Sequence, residues 1–439
     1  MKKFIVGALI TGLMTPMIAG CGTSSASGPT VVTIWSWRAQ DANMWKNVQA
    51  TLNKKGDNLQ IQFRAVTPTE YDSVVQTAMD GGQGPDIFYD RAGIGTLDYA
   101  AAHMIAPLNG IVNFSKVSPA TLATDTYKGK DYGVPFAIQT MGIFYNKAIF
   151  AKYGLTVPTT WSQFIHECDV LKSHGVTPIS TMGIQSWMLA LNFDEIGATM
   201  MGDHFTQELV AKKATYDSAP YINALAHYQQ LSQFFEPNFQ AVGSADNEQE
   251  VAVALGKAAM CFDGIFDVPT MKQYNPKLQL GQFLVPPANA TQHRRIDWYL
   301  DGDFSLNSHI ANAAVKKASE EILAYTATTA FGQDFSDING GISPIAGVTI
   351  PSKFALSTEA YHWFETRPIN PIFGIRSPMD TPPPSAATVE TKNAKPALNT
   401  DQGIFTAEQD VMLPLLLHKL TPAEAAAKVQ KTVAWYFKK

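Results

Sequence analysis

Cysteine is nearly absent: the chain of 439 residues carries three, too few for a scaffold stapled by disulfides. No Cys-x-x-Cys pair occurs, and no metal site is implied. Charge of one sign is missing as well. With 33 Lys plus Arg against 38 Asp plus Glu the net charge is -5, and the basic residues form no long block, so there is no cationic face for phosphate backbones and nucleic acid is a poor candidate partner. The chain has no Gly-x-Ser-x-Gly, His-Glu-x-x-His or Walker A sequence, Gly93-x-Gly95 stops short of a dinucleotide fingerprint, and no cofactor is implied. Internal repeats are lacking. An apolar share of 46% with 16% charged residues argues against disorder and suffices for a substantial core in two or three domains.

What is present begins at the N-terminus. Lys2 and Lys3 precede an apolar stretch from Phe4 to Ile18, too short for a stable membrane span and built like an export signal. Its end, Ile18-Ala19-Gly20-Cys21, resembles the lipobox of bacterial lipoproteins, in which the cysteine is lipid-modified and becomes the new N-terminus. That resemblance implies a signal peptide over 1–20 and lipidation at Cys21. Two or more acyl chains, each buried CH₂ adding roughly 0.8 kcal/mol, hold a protein on the outer face of the cell membrane. The residues after the cysteine, GTSSASGPT, complete a flexible tether over 21–30, and Gly22 hints at a single-membrane host. Cys168 and Cys261 remain, as buried free thiols or as a disulfide.

Val31 to Trp37 reads as a strand, followed by Asp41 as a cap candidate and by Trp45, Val48 and Leu52 at helical spacing. Leu59, Ile61 and Phe63 alternate as a second strand. Tyr71, Val74, Val75, Ala78 and Met79 then form an amphipathic helix, and Ile87 to Tyr89 a third strand. This β-α-β-α-β succession predicts right-handed crossovers and a largely parallel sheet, whose ligands sit beyond the carboxyl ends of the strands. A second α/β region begins near Gly142, with a strand over Ile143 to Tyr145 and a helix opened by a capping box of Thr160 and Gln163. Further helices are predicted over 219–234, 247–255, 314–329 and 421–437, the last opened by Thr421, Pro422 and Glu424.

Several landmarks now occur in order: Gly84-Pro85-Asp86-Ile87, Tyr132-Gly133-Val134-Pro135-Phe136, Ile143-Phe144-Tyr145-Asn146-Lys147, Pro158 with Trp161, Gly256-Lys257-Ala258-Ala259-Met260 running to Gly264, Gly341 to Pro344, and Thr421-Pro422-x-Glu424. Together they resemble the extracellular solute-binding proteins of ABC importers, in the carbohydrate-binding group that includes maltose-binding protein. The resemblance covers essentially everything after the tether. It implies an α/β, two-lobed, type II periplasmic-binding-protein-like fold, with two mostly parallel sheets flanked by helices, a cleft between the lobes and three hinge crossovers, near 137–142, 296–303 and 325–332. The first lobe would comprise 31–138 plus 300–328 and the second 139–299 plus 329–439. The implied protein is a monomer without catalysis that takes a carbohydrate ligand, closes around it and passes it to ABC-transporter permease subunits, tied to the membrane through its lipid.

A sugar has hydroxyls around its rim and C–H patches on its faces, so its site needs planar hydrogen-bonding groups at the edge and aromatic rings above or below. Asp90 and Arg91 offer a carboxylate and a guanidinium at a strand end and match an Asp-Arg pair of the family; the alternative is an exposed ion pair. Trp37 and Arg38 end the first strand, with Gln40 just beyond, Trp37 serving either as platform or as core. Gln139 matches an acidic ligand contact of the family, Trp187 its second-lobe aromatic region, and Phe266 a position where many relatives carry tryptophan. Asp267, beside Phe266, is a further candidate. Trp298, Asp301 and Asp303 concentrate at the second crossover, where Asp-Gly-Asp also suits a plain turn. The rival readings are a lipid-anchored glycosidase with two facing carboxylates, a receptor serving a sensor, and a binding protein for glycerol phosphates or peptides.

Overall fold

Val32 and Ile34 alternate with less buried neighbours along the first strand and are fully buried, the period of two that a half-covered sheet imposes. The computed structural model describes residues 28–202, 204–243, 247–366, 379–380 and 402–438. The expected signal peptide, Cys21 and most of the expected tether lie outside the described residues. In chain order the strands are β1 (Thr30–Ser36), β2 (Leu59–Ala65), β3 (Ile87–Asp90), β4 (Thr126–Tyr127), β5 (Lys130–Asp131), β6 (Gly133–Pro135), β7 (Ile138–Asn146), β8 (Thr177–Ser180), β9 (Ala258–Gly264), β10 (Leu280–Phe283), β11 (Trp298–Leu300) and β12 (Asp303–Leu306).

Two main sheets result, one per lobe. The first has the order β2-β1-β3-β12-β6, the second β10-β7-β9-β8 with β11 paired to β7. Helices flank both. Trp45, Tyr89, Phe304, Phe331 and Phe335 meet in the first core, and Phe164, Phe193, Tyr221, Phe262 and Leu415 in the second. The expectation of mostly parallel sheets is corrected in detail. β1 runs parallel to β2 and β3, and β8 to β9, but β12 is antiparallel to β3 and β6, and β7 is antiparallel to β9, β10 and β11. The physical reason is that β7 and β12 are reached by crossing from the other lobe rather than through a crossover helix.

Those crossings lie side by side. β6 passes into β7 through Phe136 and Ala137, and β11 into β12 through Asp301 and Gly302. Phe136 N donates to Gly302 O at 3.2 Å and Asp301 N to Ala137 O at 2.9 Å, so pairing continues across the junction. Gly302 permits the approach: a Cβ there would lie 2.7 Å from Trp37 Cη2 and closer still to the Asp90 carbonyl oxygen. A third strand of contact comes from Ile138, whose N–H donates to Ile342 O at 2.8 Å. The helix Thr329–Asn339 packs Phe331 and Phe335 into the first core, although the sequence reading places it in the second lobe. The chain next contributes to the core of Ile138 and Phe144 with Ile342, and then with Ala360 on the helix Ala355–Thr366.

Local signals hold where they are local. Thr160 with Gln163 and Thr421 with Glu424 both form complete capping boxes. Cys168 and Cys261 are buried free thiols. Asp41 precedes its helix but makes no side-chain cap bond; its carboxylate instead accepts from Arg38 Nε (2.9 Å), Tyr89 Oη (2.8 Å) and Asn339 Nδ2 (2.8 Å).

At the junction of β3 and β12, Asp303 sits opposite Asp90 and is fully buried. Its Oδ2 accepts from Thr96 Oγ1 at 3.1 Å, and it shares a hydrogen bond with Asp125. Burial, then the charge of Asp125, pushes the Asp303 carboxyl well above the usual carboxylate range. The folded chain thus keeps a proton that the unfolded chain gives up near pH 4. Stability from this group is fully present below that pH and falls as pH rises toward the raised value. Asp303→Asn supplies a permanent donor that does not titrate, so the melting temperature of the variant relative to the parent should rise as pH increases above about 4; a difference independent of pH contradicts the retained proton.

Candidate ligand-binding cleft

All three parallel strands of the first lobe end at one crevice. Trp37 and Arg38 follow β1, Ala65 to Thr69 follow β2, and Asp90 and Arg91 close β3, with β1 between the other two in the sheet. Strand ends that diverge from a central strand open a hollow that no crossover helix covers. Facing them are the ends of β8 and β9: Met182 to Trp187 lead into the helix Ser186–Met200, and Phe266 to Thr270 follow β9, except Val268, which does not line the cleft. Tyr299 and Asp301 form part of the floor at the crossing strands, and Asp380, Phe405 and Gln409 complete the second wall. The cleft holds about 1270 Å³. A smaller hollow of about 290 Å³ beside β10, lined by Tyr145, Arg294 and Trp363 among others, shares no residue with it.

Of the residues singled out from sequence, Trp37, Arg38, Gln40, Asp90, Arg91, Trp187, Phe266 and Asp301, with Asp267, line this cleft, whereas Gln139, Trp298 and Asp303 do not. Alternation explains the division. Tyr299 and Asp301 stand on one face of the crossing strand, and Trp298 on the other, edge-on to Phe364 at 5.2 Å and packed on the core of Ile138 and Phe144. Beyond the turn at Gly302 the strand joins the first sheet, and Asp303 points to Thr96. Gln139 lies opposite Tyr299, but its Nε2 donates to Asp301 Oδ2 at 2.9 Å and only 3% of it is exposed.

Asp301 Oδ2 also receives Arg38 Nη1 at 2.8 Å. Burial opposes the charge on Arg38, but Asp41 and Asp301 outweigh it and the guanidinium stays charged, its pKa above the ordinary value. Arg91 is tied differently. Its Nε reaches Asp72 Oδ1 at 3.3 Å, and its guanidinium carbon lies 3.8 Å from the centre of the Trp37 ring. Trp37 is meanwhile edge-on to Tyr71 at 5.1 Å and Tyr89 at 5.6 Å. Trp37 is therefore a support for Arg91 and only 8% exposed. Asp90 accepts from Ser305 Oγ at 3.3 Å, and burial followed by the charge of Asp125 raises its pKa well above the carboxylate range, so it can donate as well as accept.

The second wall is aromatic. Trp187, Phe266 and Phe405 pack, half-buried, around Met182, Met188 and Tyr299. Trp187 Nε1 donates to Gln185 Oε1 at 3.1 Å, which fixes the indole, and the Phe266 ring fills the space that a Cβ at Gly264 would need. One group of carboxylates, Glu250, Asp263 and Asp267, brings oxygens within 4.8 Å of one another. Burial, then the charge of Glu250, pushes Asp263 well above its usual range. Sequence reading missed Asp72, Tyr99, Gln185, Tyr299 and Phe405. Tyr299 was legible in principle, two positions before Asp301; Asp72, Tyr99 and Phe405 come from helices, and Gln185 immediately precedes one, whose approach to the strand ends is a tertiary fact.

The geometry has counterparts. A multiple sugar-binding protein of Streptococcus mutans is 24% identical over 400 residues, covering 81% of this chain and 87% of that one. Among solved structures, a chitin oligosaccharide binding protein superposes with a TM-score of 0.73 at 21% identity, covering 93% of this chain and 99% of that one. The GacH receptor of Streptomyces glaucescens, solved unliganded and with acarbose, gives 0.70 at 18%, covering 94% and 100%. At such identities the structures show the two-lobed fold. The family profile of the bacterial extracellular solute-binding proteins matches residues 35–325, two thirds of the sequence and all three strand ends of the first wall, and the chain belongs to that family of non-catalytic binding proteins.

Proposed function

We propose that the chain is the substrate receptor of an ABC importer: a lipid-anchored monomer that captures an oligosaccharide between its lobes, closes about the crossing strands and delivers the ligand to permease subunits. The observation that carries this reading is the division of the cleft into a hydrogen-bonding wall and an aromatic wall on separate lobes. A sugar ring presents both kinds of surface at once, so only a ligand touching both lobes satisfies the whole site. Such a ligand favours the closed form by its differential contacts. The volume exceeds the roughly 300–1,000 Å³ of pockets for drug-sized ligands, which supports more than one sugar unit. The sugars that the relatives' names record point the same way.

The sequence boundaries, 31–138 with 300–328 and 139–299 with 329–439, are adjusted in this reading so that the helix Thr329–Asn339 belongs to the first lobe, into whose core it packs. Asp90, Arg91, Arg38 and Asp301 bind ring hydroxyls, Trp187 and Phe266 cover C–H faces, and Gln40 and Asp267 sit at the rim. Gln139 acts through Asp301. Anchorage rests on Cys21.

Titrating the soluble domain with mono- and oligosaccharides, while following tryptophan emission and assaying for cleaved products, should give saturable binding without turnover; hydrolysis, or response only to a phosphate ester or peptide, contradicts the reading. In the same titration Trp187→Ala and Asp90→Ala should each weaken binding at least tenfold, about 1.4 kcal/mol, and an unchanged affinity returns that residue to a packing role. Cys21→Ala should move the protein from the membrane fraction to the medium; retention on the membrane refutes the anchor.

A further inference from the structure

The charges around the cleft are unequal. Among the described residues that line it there are six carboxyl groups, Asp72, Asp90, Asp98, Asp267, Asp301 and Asp380, of which Asp90 holds its proton, against two guanidinium groups, Arg38 and Arg91, and no lysine or histidine. Both guanidiniums already have acidic partners. Arg38 gives its Nε to Asp41 and its Nη1 to Asp301, at 2.9 and 2.8 Å, and is 5% exposed. Arg91 gives its Nε to Asp72 at 3.3 Å and lies on the Trp37 ring, 3.8 Å from its centre. A site that reads a carboxylate or phosphate needs a guanidinium fork directed at the ligand or an ammonium nearby. Here the charge of each basic group is balanced by the protein's own acids, so what it offers a ligand is N–H donors rather than an unbalanced positive charge.

We infer that this cleft is a charge filter, admitting neutral or amine-bearing saccharides and rejecting those that carry a carboxylate, sulfate or phosphate. The inference rests on the sugar-binding reading above and narrows it. An anion brought between these walls meets net negative charge in a place that water screens poorly. A hydroxyl, in contrast, donates to a carboxylate, and a protonated amine does so with charge assistance. Asp98 and Asp267 stand on opposite walls, on the helix Ile94–Ala101 and after β9, so the excess is not confined to one lobe.

The test uses calorimetry on the native protein at low salt. The neutral probes are cellobiose, maltose, xylobiose, raffinose and N,N′-diacetylchitobiose; the amine probe is chitobiose; the anionic probes are digalacturonic acid, an aldobiouronic acid and a disaccharide phosphate. The tightest neutral or amine-bearing probe should bind at least tenfold more tightly than any anionic one. Raising the salt to 500 mM should narrow that ratio, because screening weakens the repulsion of an anion and the attraction of an amine but leaves the contacts of a neutral sugar largely unchanged. The double variant Asp98→Asn, Asp267→Asn should narrow it too, and the salt series stands independently if that variant fails to fold. An anionic probe within tenfold of the best neutral one, or a ratio indifferent to salt, overturns the filter and leaves sugar binding intact. Silence from every saccharide overturns both.

Discussion

Two strands that pass from one sheet to the other side by side, bonded to each other throughout, are the constraint on which the rest of the molecule depends. Because Phe136 pairs with Gly302 and Asp301 with Ala137, the crossings form one ribbon. A ribbon bends easily but shears only by breaking hydrogen bonds, each worth about 0.5–1.5 kcal/mol net and more if left buried and unmade. In the closure proposed above, relative motion of the lobes would be confined to bending, the kind that closes a cleft. Arg38 and Gln139 both hold Asp301 at this point. Taking the ion pair out of water offsets much of its attraction, so its contribution is more to orientation than to net stability.

From that ribbon follows the division of labour between walls. The first lobe brings the ends of β1, β2 and β3 together, and strand ends leave room for short polar side chains backed by helices. Its one tryptophan at the site is spent beneath Arg91. The second lobe sets Trp187 and Phe266 on a methionine-lined bed, where a soft support adapts to the ring placed against it. The buried acids beneath the first wall, Asp90 and Asp303, are raised by desolvation and by Asp125, so protons rather than cations settle their charge.

Much of this was legible in the sequence where the signal is local. β-Branched and aromatic residues mark β1, alternation marks β2, and both capping boxes stand where Thr160 and Thr421 announce them. Asp90 and Arg91 follow from the rule that ligands collect at strand ends. What escaped reading was set by distant parts of the chain. The helix Ser186–Met200 is buried at every position from Met188 onward, so it has no polar face to betray a helical period. Asp41 looked like a cap, but its partner Asn339 is 298 residues away. Trp298, Asp301 and Asp303 concentrate at one crossover in the sequence, but alternation turns the first away and the bend at Gly302 carries the last into another sheet. The direction of β12 could not be read before it was known which sheet the chain enters.

The account stands or falls on whether one ligand draws the two lobes together. Small-angle scattering of the soluble domain, with and without a saturating saccharide that calorimetry shows to bind, measures this directly. A smaller radius of gyration in the bound state, reversed on removing the ligand, is the predicted result. Tight binding with an unchanged radius would mean that the cleft is a rigid pocket, and that the bending ribbon has no part in recognition.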